Sequence, residues 1–271
     1  NYPYGCAEQR SSKLFELNFL VLGGDDSKEA KAKEADRRRF VEAGIQDVVN
    51  MQKTDGSIGY WNQLGYTNNF ASIYSIDMLF TLEKSGFALD SHVKNKAIDW
   101  LRAFGSNDNF QALYAAYVLS TQKKLDRSKL NALYDQKRYQ GSALEGYLMA
   151  AILKNEGLNK ESEKVLKELN KSTYNREKEL ADNFGSEIRN KAFMLLLHAN
   201  HFEKNAFSDE LADYLIARVD KLHSTQERAF TLRALRAYIK DVSSENKFKL
   251  IADGHDLNFD GRGAINIAPK K

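Results

Sequence analysis

Cysteine and proline are nearly absent from this chain of 271 residues. It contains one cysteine, Cys6, and two prolines, Pro3 and Pro269, which lie at opposite ends. A single cysteine excludes an internal disulfide framework. Because proline ends or kinks helices, an interior of more than 260 residues without it favours long, uninterrupted helices.

Several signals of common function classes are also missing. The formal net charge of +3 is too small to argue for nucleic-acid binding. We find no Gly-x-Ser-x-Gly elbow of a serine hydrolase and no glycine-rich phosphate loop with its lysine. There is no apolar run of transmembrane length and no signal peptide. Since the chain also lacks an initiator methionine and begins on its main motif, we expect it to be a domain cut from a longer protein that carries the targeting signals.

The lone cysteine stands three residues before a glutamine, at a position that reads as a helix start. A solitary cysteine is commonly a small buried apolar residue, but Gly5 and the polar residues that follow Cys6 are not core material. Residues three apart share a helix face, so the Cys6 sulfur can reach the Gln9 side-chain amide. Expulsion of ammonia would then join them in an internal thioester. The unpaired N–H groups and positive dipole end of a first helical turn would stabilise the thiolate released when such a bond opens.

The string Pro3-Tyr4-Gly5-Cys6-Ala7-Glu8-Gln9 resembles the thioester motif of the α2-macroglobulin and complement proteins. It is most similar to the bacterial α2-macroglobulins, whose motif typically reads Tyr-Pro-Tyr-Gly-Cys-x-Glu-Gln. The resemblance implies that a protease cuts a bait segment elsewhere in the parent protein and that a conformational change then exposes the thioester. A lysine amine of the protease attacks Gln9, and Cys6 leaves as a thiol. Such capture is stoichiometric, so the resemblance implies an inhibitor and not an enzyme.

The site residues expected on this basis are few. Cys6 is the thiol and Gln9 the acyl donor, while Glu8 belongs to the motif without a role that the residues themselves indicate. Tyr2 and Tyr4 are expected to shield the thioester from water, and ordinary packing at a domain edge is the alternative. No cofactor or metal is expected. The resemblance also implies flanking domains of the parent chain as partners and a bacterial periplasmic or cell-envelope location, with a lipoprotein anchor as one option for the parent.

The expected fold is an all-α, α/α toroid of about eleven or twelve helices with a short β tail. Gln52 to Trp61, which contains the turn signal Asp55-Gly56, resembles a repeat of α/α toroid proteins, and its aromatic residues are expected to pin a loop to the body. We divide the chain into a toroid domain, 1–241, and a β-strand stub, 242–271, which the resemblance implies is part of an adjoining CUB-like β-domain. The predicted helices are 6–22, one through 40–51 after a charged segment 28–39, 70–86, 91–104, 108–123, 127–136, 141–156, 159–170, 185–201, 207–221 and 225–240, and short strands are predicted around 247–251 and 255–259.

A second motif lies at the start of the last predicted helix. Ser224 and Glu227 have the spacing of a capping box, in which each side chain binds the backbone N–H of the other. The string Ser224-Thr225-Gln226 with Ala229 is similar to one near the end of macroglobulin thioester domains. Simple helix capping explains it equally well.

Other readings of the sequence remain. His198 and His201 lie on one helix face, but a zinc site needs a third ligand that no spacing supplies, and histidines in a last turn also suit the helix dipole. The connection 104–109 holds no histidine, whereas complement proteins that prefer hydroxyl targets use one there, so direct attack by amines is expected. Two other functions stay open: tethering to a surface through the same thioester, as in an adhesin or opsonin, and an α/α toroid enzyme acting on a glycan or an isoprenoid.

Overall fold

The computed structural model describes residues 5–19, 27–169 and 184–240, together with the backbone of two short strands, 249–252 and 255–258. Tyr2 and Tyr4 and the predicted helix end 20–22 lie outside these ranges. None of the described helices is long and apolar enough to cross a bilayer.

Eleven α-helices occupy the described ranges, which confirms the all-α prediction. They are α1 Ala7–Phe19, α2 Lys28–Val49, α3 Asn69–Lys84, α4 Ser91–Ala103, α5 Asn109–Thr121, α6 Arg127–Asp135, α7 Ala143–Asn155, α8 Asn159–Leu169, α9 Glu187–His201, α10 Ala206–Ile216 and α11 Thr225–Lys240. Strands β1 Lys249–Ala252 and β2 His255–Asn258 form one antiparallel pair, with Lys249 opposite Asn258. Short strands were expected in this part of the chain.

Within the described ranges, two helix boundaries differ from the prediction by more than two residues. The charged segment 28–39 is the first half of α2, capped by Ser27, because its charges form pairs within the helix, such as Lys33 with Glu29. The helix predicted over 207–221 stops at Ile216. A separate 3₁₀ turn, Val219–Lys221, follows, and it buries none of its side chains.

The odd-numbered helices form an inner ring. Each of α1, α3, α5, α7, α9 and α11 packs against the next in this order, and α11 packs against α1 to close the ring. Among them α3, α5 and α7 are buried on almost every side. The even-numbered helices pack outside and bury only a stripe, as α8 does with Ser162, Val165 and Leu169. The described part of the chain is therefore an α/α toroid.

All six inner helices run in the same direction, because each outer helix carries the chain back to the starting end. Contacts at both ends support this. Glu8 at the start of α1 contacts Thr225 at the start of α11, and Asn155 at the end of α7 donates to Ser120 at the end of α5. The Cys6–Gln9 turn therefore lies at the end of the toroid where six helix N-termini meet.

Inside the ring, Asp77 and Arg233 form an ion pair that is surrounded by aromatic side chains. The carboxylate of Asp77 accepts from Arg233 at 3.0 Å and from the Tyr114 hydroxyl at 2.8 Å. The Arg233 guanidinium lies 3.7 Å from the ring centroid of Phe15. A buried ion pair is costly to break because the remaining charge would be left in a dry interior, so this layer holds α1, α3, α5 and α11 in register.

Candidate functional site

Cys6 is the N-cap residue of α1, and Gln9 occupies the third helical position. The Cys6 carbonyl accepts the first helical hydrogen bond, from the Arg10 N–H at 3.0 Å, and the Cys6 N–H donates to Gln9 Oε1 at 3.2 Å. This is half of a capping box with cysteine where serine or threonine usually stands. This bond holds the Gln9 amide oxygen against the backbone of the residue that carries the thiol.

The two side chains differ in their access to solvent. Cys6 is a free thiol and only 3% exposed, whereas Gln9 is exposed. A bond between them would therefore have its sulfur on the protein side and its acyl group within reach of an incoming molecule. Arg10 fixes the segment from outside: its Nε donates to the Gly5 carbonyl at 2.7 Å, and its Nη1 pairs with Asp47 on α2 at 3.0 Å.

Glu8, for which the sequence indicated no role, connects the first inner helix, α1, to the last, α11. It is 3% exposed, and its Oε1 accepts from Ser12 at 2.7 Å, from Thr225 at 2.8 Å and from Gln226 at 2.9 Å. The first turn of α1 is thus bound to the first turn of α11. The Thr225-Gln226 string singled out in the sequence contacts the Cys6–Gln9 segment directly, which its local pattern could not reveal.

The capping box at the start of α11 is confirmed. The Glu227 N–H donates to Ser224 Oγ at 3.1 Å, and the Glu227 carboxylate accepts from the Ser224 N–H at 3.1 Å. Burial acts to raise the pKa of Glu227. Hydrogen bonds from Ser186 and from the backbone N–H groups of Ser224 and His223 outweigh burial and lower it, so the cap is ionised at neutral pH.

The loop that contains Asp55-Gly56 ends against Cys6. Gln52 and Ile58 form an antiparallel bridge, and the Tyr60 carbonyl accepts from the Ala7 N–H at 2.8 Å. The loop therefore satisfies one of the unpaired N–H groups at the start of α1. Gly56 has φ +93°, and a side chain there would meet the Lys96 carbonyl, so only glycine fits this turn.

The aromatic residues after the turn were expected to pin the loop, and this is correct for Tyr60 only. Tyr60 is half-buried and bound to the start of α1 through its carbonyl, and burial, together with the neighbouring Cys6, raises the pKa of its phenol. Trp61 is 54% exposed, and Leu64 and Tyr66 are 95% and 61% exposed. These three residues form an exposed apolar patch next to the candidate site. Its aromatic character was visible in the sequence, but its exposure was not.

The histidine pair on α9 is engaged with protein groups. His198 Nε2 lies 2.8 Å from the Glu203 carbonyl, and His201 Nε2 lies 3.1 Å from the Tyr117 hydroxyl. Within the described ranges, no three His, Cys, Asp or Glu side chains come together as a metal site would require.

Known proteins to which this chain is similar include bacterial α2-macroglobulins. No family profile matches the chain. Alpha-2-macroglobulin of Escherichia coli K12 is 26% identical over an alignment 220 residues long that covers 72% of this chain. That of Thermotoga maritima is 22% identical over an alignment 287 residues long, gaps included, that covers 98% of it. The chain is a homologue of the bacterial α2-macroglobulins. It spans only 13% and 17% of the lengths of these two relatives.

Solved α2-macroglobulin structures share the fold. Salmonella alpha-2-macroglobulin reacted with methylamine superposes with a TM-score of 0.75 and 21% identity, over 96% of this chain and 18% of that one. An E. coli α2-macroglobulin fragment that runs from domain MG7 to the C-terminus gives 0.75 and 23%, over 96% of this chain and 43% of that fragment. These structures confirm the toroid fold, while the resemblance predicted from the Pro3–Gln9 string is supported by the sequence relatives.

Proposed function

We propose that this chain is the thioester domain of a bacterial α2-macroglobulin-like protease inhibitor, with Cys6 and Gln9 joined in the reactive bond. The observation that carries the proposal is the hydrogen bond from the Cys6 N–H to Gln9 Oε1, together with a buried sulfur and an exposed glutamine. A homologue of the family that retains this pair in this geometry has the two groups that the chemistry needs. The enzyme alternative would leave the geometry unused.

The chemistry has two steps. In the first, the Cys6 thiolate attacks Gln9 Cδ, and ammonia leaves with the proton of the thiol. In the second, an amine attacks the same carbon, the C–S bond breaks, and Gln9 carries a new amide beside a free thiol. Both steps place negative charge on Gln9 Oε1. The Cys6 N–H already donates to this atom, so it acts as an oxyanion donor at the positive end of α1.

Glu8 is the positioning residue of this proposal. Two of its three hydrogen bonds, from Thr225 and Gln226, hold the first turn of α1 against α11, and the third, from Ser12, lies within α1. The Cys6–Gln9 turn thereby becomes part of the rigid ring instead of a frayed helix end. A site held by neighbouring elements keeps its reacting atoms in place, which is a large part of any rate advantage.

Two parts of the parent protein are proposed to shield the thioester from water: the tyrosines that precede the motif and a flanking domain. Tyr2 and Tyr4 precede the motif directly and are proposed to shield the acyl group from water. The exposed apolar patch of Trp61, Leu64 and Tyr66 beside the site is proposed to lie under a flanking domain of the parent chain. Residues 242–271 are proposed to begin that adjoining β-domain.

The target is proposed to be a protease, captured through a lysine amine. The relatives support this choice: structures of E. coli α2-macroglobulin include one activated by trypsin and one activated by porcine elastase. Because such proteases act outside the cytoplasm, the proposal places the parent protein in the periplasm or cell envelope. Tethering to a surface would use the same bond and differs only in the molecule captured.

The test is accurate denatured mass with peptide mapping across residues 1–20, before and after methylamine. We expect a mass one ammonia lower than the sequence requires, converted by methylamine to a methylamide on Gln9 with release of the Cys6 thiol. Gln9→Asn is the matched control, because it keeps the amide but shortens the arm by one methylene and should form no thioester. Tyr2→Ala with Tyr4→Ala should hydrolyse faster, and an unchanged rate would remove the shielding role.

Two results would contradict the proposal. An intact Gln9 amide beside a Cys6 thiol that methylamine leaves unchanged, in the natural full-length protein, would exclude the thioester and favour the toroid enzyme. A thioester that forms but transfers to carbohydrate hydroxyls and not to the lysines of an added protease would favour surface tethering. Recovery of Glu at position 9 would show that the bond had formed and then hydrolysed.

A further inference from the structure

Arg10 follows the reactive pair directly and contacts two parts of the chain at once. Its Nε donates to the Gly5 carbonyl at 2.7 Å, and its Nη1 lies 3.0 Å from a carboxylate oxygen of Asp47 on α2. The Arg10 side chain is 27% exposed and that of Asp47 is 62% exposed. An ion pair so open to water contributes little to stability. The bond to Gly5 is therefore the contact that bears on the reactive pair.

The Gly5 carbonyl and the Cys6 N–H belong to one peptide unit. This unit is planar and trans, so the two groups point in opposite directions and can only rotate together. On one side Arg10 donates to the carbonyl, and on the other side the N–H donates to Gln9 Oε1 at 3.2 Å. A carbonyl that accepts a hydrogen bond polarises its peptide unit, and the N–H becomes a better donor. The guanidinium, the peptide and the acyl oxygen thus form one chain of hydrogen bonds.

The close approach of α2 to α1 fixes the position of the guanidinium. A Cβ added at Gly44 would lie 2.5 Å from Cδ2 of the buried Leu14, so a side chain there would have to displace Leu14. Arg10 lies one turn before Leu14, and Asp47 lies about one turn after Gly44. Because α2 carries the chain back along α1, Asp47 meets Nη1 while Nε faces Gly5. The rigid fork of donors in arginine permits both contacts at once.

We propose that Arg10 is a second positioning residue, which orients and polarises the Gly5–Cys6 peptide so that its N–H stabilises the charge that develops on Gln9 Oε1. This inference rests on the proposed function. Attack by an amine on Gln9 Cδ moves the carbonyl electron pair onto Oε1. The pair returns as the C–S bond breaks, and the thiolate takes up the proton that the amine loses. Arg10 itself exchanges neither a proton nor an electron pair.

Two substitutions of Arg10 separate its bond to Gly5 from its ion pair. In Arg10→Gln, the side-chain Nε2 takes the place of the arginine Nε, so a donor to Gly5 remains. In Arg10→Met, a methyl group takes that place, and no donor remains. Both variants lose the charge and the pair with Asp47, and both keep an unbranched side chain of the same length up to this atom. Asp47→Asn is the reciprocal control, because it removes the charged partner and leaves Arg10 in place.

The experiment first verifies the Gln9 thioester, by denatured mass and peptide mapping, in the natural full-length protein and in the three variants. It then measures the rate of thiol release with methylamine. We expect Arg10→Met to react roughly 5- to 50-fold more slowly, a part of the loss of about 100-fold or more that follows removal of an oxyanion donor. Arg10→Gln should stay within about 3-fold of the natural rate, because a neutral donor makes a bond about half as strong as a charged one. Asp47→Asn should also stay within about 3-fold, because its pair is exposed.

A spectroscopic readout distinguishes this role from packing. In protein isotopically labelled at the glutamine side-chain carbonyl, the infrared difference before and after methylamine contains the thioester carbonyl band. A hydrogen bond to Oε1 weakens the C=O bond and lowers its stretching frequency. We expect the band at higher frequency in Arg10→Met, and near its natural position in Arg10→Gln and Asp47→Asn. A residue that only held α1 against α2 would leave the band in place.

An unchanged rate or an unchanged band in Arg10→Met would overturn the inference while leaving the thioester function intact. Equal slowing of Arg10→Met and Arg10→Gln would also overturn it, because the effect would then come from the charge or the ion pair. Loss of the thioester from Arg10→Met alone would support it, since formation places charge on the same oxygen, whereas loss from both variants would overturn it. Absence of the thioester from the natural protein would remove the proposed function as well. Because that measurement comes first, the two failures are distinguished.

Discussion

His201 ends α9 with its imidazole against the Tyr117 hydroxyl, in a position where a positive charge is poorly tolerated. Burial lowers the pKa of His201 to about 4, and the charges of Lys84, Lys123 and Lys154 contribute to the shift. The pairing of two histidines on one helix face indicated metal binding as one reading of the sequence. In the structure, the His201 imidazole is instead neutral at physiological pH, because it is buried and lies near three lysines.

This histidine should make the fold sensitive to mild acid. The unfolded chain binds the proton at its ordinary pKa of about 6.5, while the folded chain binds it only near 4. Stability is therefore lost as pH falls through this window, by on the order of 1–3 kcal/mol. Urea unfolding between about pH 7 and about pH 4.5 should show a smaller loss for His201→Gln, which retains a partner for Tyr117. The exposed His92 is the control, and equal pH profiles for His201→Gln and His92→Gln would refute the assignment.

At the scale of one element, Glu145 at the start of α7 has a raised pKa, because its burial outweighs the stabilisation of a carboxylate by a helix N-terminus. Glu145 follows the N-cap Ser142 at the third helical position, where a carboxylate normally gains from the dipole and from backbone N–H groups. Here burial raises the pKa of Glu145 to about 7, the charge of Asp108 adds to the rise, and hydrogen bonds from Gly141 and Ser142 offset only part of it. Its Oε2 is buried without a hydrogen-bond partner.

Glu145→Gln should therefore stabilise the protein at alkaline pH and not at acid pH. A carboxyl whose folded pKa is raised contributes stability below its unfolded pKa near 4.3, and the contribution is lost as pH rises through about 7. After a discount for partial exposure, we expect a gain of about 1 kcal/mol for the variant at about pH 8 and little change at about pH 4.5. Thermal unfolding at both values measures this.

The control lies on the next inner helix. Glu187 at the start of α9 is exposed, and its pKa is lowered, first by a hydrogen bond from Lys191. Glu187→Gln should gain nothing at alkaline pH. The account of α7 would be wrong if both variants responded to pH in the same direction.

The helices that could be predicted were those whose signals lie within a few consecutive residues. Each of α1 to α11 was expected because apolar periodicity acts within a few positions, and the structure adds local side-chain caps such as Asp90 and Ser142. The Cys6–Gln9 pair was predictable for the same reason. The first half of α2 was harder, because it buries few residues and is stabilised by charge pairs.

The contacts that complete the candidate site were not predictable from local pattern. The Tyr60 carbonyl meets the Ala7 N–H, and Gln226 meets Glu8, only because the fold brings distant parts of the chain to one end of the ring. The exposure of Trp61 escaped prediction for the same reason. An aromatic residue after a turn packs inward or outward according to neighbours that single-sequence periodicity does not identify.

At the scale of the whole molecule, closure of the ring depends on the contact between its first and last inner helices. Two carboxylates on α1 face α11. Glu8 is buried and accepts three hydrogen bonds, two of them from Thr225 and Gln226. Glu16 lies two turns further along and meets Arg228 at 3.6 Å in a partly exposed pair.

Removal of these two carboxylates should have unequal effects. Glu8→Ala leaves the donors of the half-buried Thr225 and the buried Gln226 without their acceptor, so we expect a loss of about 2–4 kcal/mol in the free energy of unfolding. Glu16→Ala breaks a partly exposed ion pair and should change it by about 1 kcal/mol or less. Urea unfolding measures both, and spontaneous loss of the Cys6–Gln9 bond should accelerate in Glu8→Ala alone, because only Glu8 lies in the turn that holds the reacting groups. Equal destabilisation by the two variants, or an unchanged lifetime of the bond in Glu8→Ala, would mean that α1 and α11 are held by packing and that the carboxylate does not couple ring closure to the site.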